Sequence, residues 1–317
     1  MVGTRRMQLF FVIRACVFLS IPGYSSSYFT PPTAAAPRAS GPRVGPPTGM
    51  PQASTAAAAA AVAPLAAADS DAEAFERVTL ARRSTKHFDR RRPVPDDVLK
   101  KVLALVLRAP SGFNIQPYEC IVVTSDEAKQ KLSRAMLGQN RERVLAAGAT
   151  VVFASDLNSM KNVRKLTTML VEEGWPKGFI KKVPLYLSVF STGHNRLLRL
   201  PLVAAKKLSF AVVRRLGKGM PTVSGAEAWA FKNTMLAVQE LLLAATSHGL
   251  ATCPMEGFDM RRLRKALRIP LRYSVPIVVS IGYPSDDRRE IKTLRFPPEE
   301  VLHREEFGTP LEGVPSL

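Results

Sequence analysis

From Gly225 to Ser247 the chain reads as one long helix. Its apolar residues, Phe231, Met235, Leu236, Val238, Leu241, Leu242, Leu243 and Ala245, occupy much of the circumference. A helix with one apolar stripe can lie on a surface, whereas one that is apolar nearly all round has to be surrounded. This segment therefore belongs at the centre of a core or of a subunit interface. Ser224 and Glu227 stand at capping-box spacing at its start, and Gly249 can end it.

Other elements follow from periodicity and caps. A short helical pattern runs over Phe75–Arg82. Pro95 suits the first turn of a helix reaching about Arg108, with Asp96 and Asp97 complementing its dipole. Glu119–Thr124, Ala149–Ala154 and Val275–Ile281 are β-branched, apolar runs and read as strands. Ser125 caps a helix over Asp126–Leu137, and Asp259 one over Met260–Leu267. The tail reads as extended and then helical from Pro298.

The body, residues 72–317, is long enough for one substantial domain or two small ones. Residues 1–27 have the layout of a secretory signal: Arg5 and Arg6, the apolar run Met7–Ile21, then Ser25–Ser27. The run is short for a membrane-spanning helix. Residues 28–71 are rich in Ala, Pro, Gly, Ser and Thr, and the first acid of the chain is Asp69. Such a composition cannot bury enough apolar surface to fold. A signal followed by an acid-free, hydroxylated, basic stretch resembles the two-part presequences of proteins sent to plastids bounded by extra membranes. Tyr28-Phe29-Thr30-Pro31-Pro32 looks like their aromatic and proline junction. The alternative is a secreted or endomembrane protein.

The net charge of +19 is localised. Residues 1–68 hold five arginines and no acid, and residues 157–220 hold thirteen Lys and Arg against Glu172 and Glu173. The rest of the body is close to neutral, which argues against a nucleic-acid surface. The insert at 157–220 is interrupted by Pro176, Pro184 and Pro201. Within it Leu202–Leu216 reads as a basic amphipathic helix that lies as a lid over a site, touches an anionic membrane through 196–218, or packs on its own domain. The three cysteines, Cys16, Cys120 and Cys253, and four scattered histidines form no disulfide framework and no metal-binding spacing.

Two stiff loops and one basic run stand out. Ala109–Tyr118 carries Pro110 and Pro117, Gly112, and the hydrogen-bonding Ser111, Asn114 and Gln116. Thr252–Phe258 is the second loop. Arg82, Arg83, Ser84 and Lys86 fall within five residues. If extended, they set Arg82, Ser84 and Lys86 on one face, which suits a terminal phosphate. Lys292 and Arg295 near the C-terminus are further cations that the spacing alone does not bring to the same group. There is no P-loop, no GxGxxG after a strand and no nucleophile elbow.

The order of these motifs is specific. Arg82-Arg83-Ser84-Thr85-Lys86 comes first, followed by Ala109-Pro110-Ser111-x-x-Asn114-x-Gln116-Pro117-Tyr118. The long Leu- and Ala-rich helix then closes in His248-Gly249-Leu250-Ala251-Thr252. Pro254-Met255-Glu256-Gly257-Phe258-Asp259 and Ile281-Gly282-Tyr283-Pro284 follow, and Arg295 precedes prolines and two acids. Together they resemble the flavin-dependent nitroreductase family over about residues 73–156 and 221–307.

The resemblance implies an α+β fold with a central, mostly antiparallel sheet flanked by helices. It also implies an interlocked homodimer holding two FMN molecules at the subunit interface. By that carry-over Arg82, Arg83, Ser84 and Lys86 meet the FMN phosphate and ribityl chain, with Arg295 and Lys292 returning to the phosphate. Asn114 and Gln116 meet the flavin edge. Pro254, Met255, Glu256 and Gly257 line the ring, and the Glu256–Gly257 backbone lies near its redox-active nitrogen. Lys86 is the candidate for stabilising the reduced, anionic ring. The implied mechanism is ping-pong: NADH or NADPH gives hydride to FMN and leaves, and a nitroaromatic, quinone or similar acceptor takes its place. The alternatives are a reductive dehalogenase or flavin-consuming enzyme of the same fold, and a flavin-binding, membrane-associated protein without turnover.

Overall fold

Four strands, all antiparallel, form the sheet of this computed structural model, which describes residues 69–190, 196–217, 219, 224–285 and 293–315. The signal segment, most of the 28–71 stretch and Lys292 lie outside the described residues. Among the described residues, 69–77 belong to a different unit from the body that begins at Val78.

The strands are β1 (Tyr118–Val123), β2 (Ala149–Asp156), β3 (Ala251–Met255) and β4 (Tyr273–Gly282), in the spatial order β1-β2-β4-β3. Val151 of β2 stands between Val122 of β1 and Val279 of β4. Every residue of β2 is buried, because helices cover both faces of the sheet. On one side Val151, Phe153, Ile277, Val279 and Ile281 pack against two helices. These are α2 (Asp96–Val106), through Leu99, Val102 and Val106, and α8 (Ala226–Ser247), through Ala237, Val238 and Leu241. On the other side Val152, Ala154 and Val278 meet Leu132 of α3 (Asp126–Ser133), Val144 of α4 (Asn140–Ala146) and Leu263 of α9 (Met260–Leu267). Each such side chain contributes roughly 1.5–3 kcal/mol by leaving water. The fold is α+β, as expected.

α8 is the central helix, but its burial is not complete. Eleven of its residues are buried, among them Trp229, Asn233 and Leu241, while Met235 and Leu236 are 40 and 46 % exposed. The capping box does not form. Gly225 takes the cap position, and Glu227 instead accepts a hydrogen bond from Ser274 Oγ of β4 at 2.6 Å. Gly249 does close the helix, with φ of +71°.

Local differences from the sequence expectations have physical causes. α1 (Asp69–Ala81) begins earlier than expected. Pro95 caps α2 from outside its first turn. α3 is capped by Ser125 as expected, its Oγ accepting from Ala128 N, but stops at Ser133. Beyond it Met136 forms an isolated bridge to Phe258. In the insert Pro176 separates two helices as expected, whereas the other two prolines lie inside helices: α5 (Val163–Glu172), α6 (Lys177–Phe190) with Pro184 inside it, and α7 (Arg196–Arg215), whose span contains Pro201. Leu166, Val183 and Leu187 of α5 and α6 pack on Trp229 of α8 and on Ile115. A last short helix, α10, covers Pro298–Val301.

Candidate active site

The chain leaves α1 extended and runs beside β3. Ser84 bridges Thr252 in parallel, and Thr85 N donates to Thr252 O at 2.9 Å. Thr85 turns inward and is buried, so its neighbours Ser84 and Lys86 turn out together. Arg82, half-buried at the head of this run, has its guanidinium pushed below the usual range, first by burial and then by the like charge of Arg295. Two guanidiniums from opposite ends of the domain are thus held near each other.

The sequence reading places β3 within the stiff loop Thr252–Phe258. It is a strand: Pro254 pairs with Val279 near the sheet edge, where a missing N–H is tolerated. Beside it the buried Cys253 thiol is pushed up by desolvation, an effect opposed by the nearby charges of Lys86 and Arg143. Four cations, Arg82, Lys86, Arg143 and Arg295, therefore gather about β3. None of the four makes an ion pair among the described residues.

Past Met255, the site turns on Gly257. Its carbonyl accepts from Leu137 N at 3.0 Å and from Asn140 Nδ2 at 3.1 Å. A Cβ at position 257 would stand 2.8 Å from Asn140 Nδ2, so the close approach depends on glycine. Asn140 Oδ1 in turn accepts from Arg143 Nη1, and Arg143 Nε is buried with no hydrogen-bond partner. Asn140 and Arg143, both on α4, escaped the sequence reading. No local motif marks them, and only the fold of residues 135–140 against 256–259 brings them here. Asp259 N donates to Ala135 O in that fold, and Asp259 caps α9 as expected through Arg261 N and Arg262 N.

These residues fit FMN. A surplus of cations without ion pairs among the described residues suits its phosphate, and an orphaned Arg143 Nε offers a donor. Pro254, Met255, Glu256 and Gly257 would line the flavin ring, with Glu256 exposed and Met255 buried beneath.

Asn114 and Gln116 are not brought to this place within one chain. They precede β1, whereas the cations surround β3, and these strands are the two ends of the sheet order. Three strand spacings separate them, roughly 14 Å. Asn114 and Gln116 instead line a cleft of about 300 Å³ with Tyr118, Glu119, Asp156 and Lys165. Their loop is held in an unusual shape. Phe113, Asn114 and Gln116 all have positive φ, 57°, 54° and 47°, a region that non-glycine residues seldom adopt. More than the two prolines fixes it. Ser111 Oγ accepts from Gln116 N at 2.9 Å, Asn233 Oδ1 of α8 accepts from Gly112 N at 2.6 Å, and Asn162 Nδ2 donates to Ile115 O at 3.2 Å.

Comparison with known proteins agrees with this geometry. The Nitroreductase family model matches residues 79–283, about two thirds of the chain. An NADH dehydrogenase of Thermus thermophilus is 28 % identical over 224 residues, 70 % of this chain and 92 % of that protein. An iodotyrosine deiodinase of Thermotoga neapolitana is 25 % identical over 226 residues, again 70 % and 92 %. The crystal structure of an Exiguobacterium sibiricum protein, described as a nitroreductase in complex with FMN, superposes with a TM-score of 0.55. It is 18 % identical and covers 73 % of this chain and 97 % of that one, a likeness of fold. With the sheet, the cation cluster and the family match in agreement, this chain belongs to the nitroreductase family.

Proposed function

We propose that the chain is an FMN-dependent oxidoreductase that takes electrons from NAD(P)H and passes them to a nitroaromatic, quinone or similar small acceptor, donor and acceptor using one place in turn. The observation that carries this reading is the cluster of Arg82, Lys86, Arg143 and Arg295, which makes no ion pair among the described residues, beside the Pro254–Gly257 turn. Arg82, Arg83, Ser84 and Arg295 would hold the phosphate and ribityl end, with Lys292 beside them. Lys86 would place its charge by the ring, and Asn140 and Arg143 would donate hydrogen bonds to it. Bound FMN would supply the hydride acceptance and onward electron transfer that no side chain can.

The separation of Asn114 and Gln116 from the cations supports a two-chain site. In this reading the loop at 109–118 of a second copy closes over the ring, and the partly exposed Met235 and Leu236 of α8 become part of the contact between copies. The deiodinase relative favours a second reading, reductive dehalogenation on the same scaffold. The acid-free residues 1–68 support import into a plastid through a two-part presequence, which a fluorescent fusion to that segment would test.

An absorption spectrum of the purified protein, recorded anaerobically before and after NADH or NADPH, tests the main reading. The expected result is a yellow protein bleached by the nicotinamide and recoloured by a quinone or nitroaromatic. A colourless protein that takes up no FMN overturns it. Recolouring by a halophenol alone would select the second reading.

A further inference from the structure

Helix α7 has two unlike faces. Lys206 and Phe210 turn inward and are buried, and Lys206 Nζ donates to Ser188 O of α6, tying the two helices together. On the outer side Leu208, Val212 and Leu216 are 69, 52 and 71 % exposed. A spacing of four stacks their side chains one per turn into a continuous ridge. Ala204, Ala205 and Ala211 are exposed beside it. Lys207, Arg214 and Arg215 are also exposed, and the sequence has no Asp or Glu between Glu173 and Glu227. The exposed surface of α7 therefore combines an apolar ridge with Arg215 beside it and with Lys207 and Arg214 on the flank nearer the buried side.

We propose that this face binds the surface of an anionic membrane, with Leu208, Val212 and Leu216 entering the boundary between headgroups and acyl chains. Lys207, Arg214 and Arg215 meet the lipid phosphates and carboxylates. Neither attraction is strong alone; an apolar ridge and basic side chains on one helix reinforce each other at such a surface. Long Lys and Arg stems lie along apolar surroundings while their heads reach the charged layer. A second copy of the same face is a poor occupant, because a symmetric contact would oppose three cations to three cations. Among the described residues no helix is long and apolar enough to cross a membrane, so the contact is peripheral.

The test needs a local readout, because the N-terminal apolar run can bind lipid by itself. Full-length protein is exposed to hydroxyl radicals alone, with phosphatidylcholine vesicles, and with vesicles that also contain phosphatidylserine. Side-chain oxidation is then mapped by mass spectrometry. Leu271, 70 % exposed on the turn before β4, serves as internal reference. Oxidation of Leu208 and Leu216 relative to Leu271 should fall several-fold on the anionic vesicles only, and the Lys207→Glu/Arg214→Glu/Arg215→Glu variant should lose that protection. Unchanged oxidation on anionic vesicles, or equal protection on both vesicle types, overturns the proposal. Protection without vesicles would show that another protein surface covers the ridge and overturns it as well.

Discussion

Gly257 and Asn140 share a space with no slack, and that makes them a sensitive pair. A methyl at 257 would press on Asn140 Nδ2 at 2.8 Å, and Asn140 is pinned between Gly257 O and Arg143. Gly257→Ala should lower stability by about 1–3 kcal/mol, the usual effect of overpacking. In an Asn140→Ala background most of that effect should vanish, because the obstructing amide is gone. Urea unfolding of the four proteins measures the coupling, and strict additivity would show that the clash is relieved elsewhere. Residues of this kind are invisible in a sequence. Arg82, Ser84 and Lys86 could be picked out because they are contiguous and alternate along an extended run. Asn140 and Arg143 could not, because their roles exist only once two loops distant in sequence have met.

At the scale of elements, hydrophobic period and caps predicted much of the sheet and the helices about it. Strands β1, β2 and β4 and helices α2, α8 and α9 lie within a few residues of their expected bounds. Where the expectation failed, tertiary structure overrode a local rule. Pro254 sits in a strand because that strand is near an edge, and Glu227 abandons its helix terminus for Ser274 of β4. Pro184 does not break α6, which Val183 and Leu187 anchor to Trp229. One element also carries correctable strain. α9 ends on Arg268 with φ of 55°, a left-handed position that glycine occupies without penalty. Arg268→Gly should therefore stabilise the protein by about 1 kcal/mol, read as a higher urea midpoint. A lower midpoint would mean that the arginine side chain contributes more than its backbone strain removes.

The molecule as a whole should weaken in alkali. Burial pushes the Cys120 thiol up to about 12. Burial, and then the hydrogen bond to Glu119, push the Tyr273 phenol up to about 12. Burial raises Cys253 and Tyr118 in the same direction. All four hold protons in the folded chain that the unfolded chain releases from near pH 9 for thiols and pH 10 for phenols. Their contribution is thus complete below about pH 9 and is lost progressively toward pH 12. The urea midpoint should fall across that range, and Cys120→Ala should make the fall shallower. The proposed two-chain site makes a further prediction. Arg82→Ala and Asn114→Ala should each lose FMN and activity as pure proteins. Co-expressed, they should regain up to about a quarter of wild-type activity, because half the dimers are mixed and each mixed dimer has one intact site. No recovery would show that a chain uses its own loop.

Pairing of Ser84 and Thr85 with Thr252 of β3 limits how far the N-terminus can be shortened. Through the Ser84 bridge and the Thr85 hydrogen bond this segment is the outer border of the sheet, so it cannot be treated as a dispensable leader. Proteolytic trimming that stops before Arg82 leaves that border sealed. Trimming to residue 89 would uncover a row of unpaired backbone groups, the usual template for strand-to-strand association between chains. A chain starting at residue 79 should stay monodisperse in light scattering, and one starting at residue 89 should form large particles. Any protease that trims this N-terminus would thus meet a downstream limit set by the architecture rather than by its own specificity.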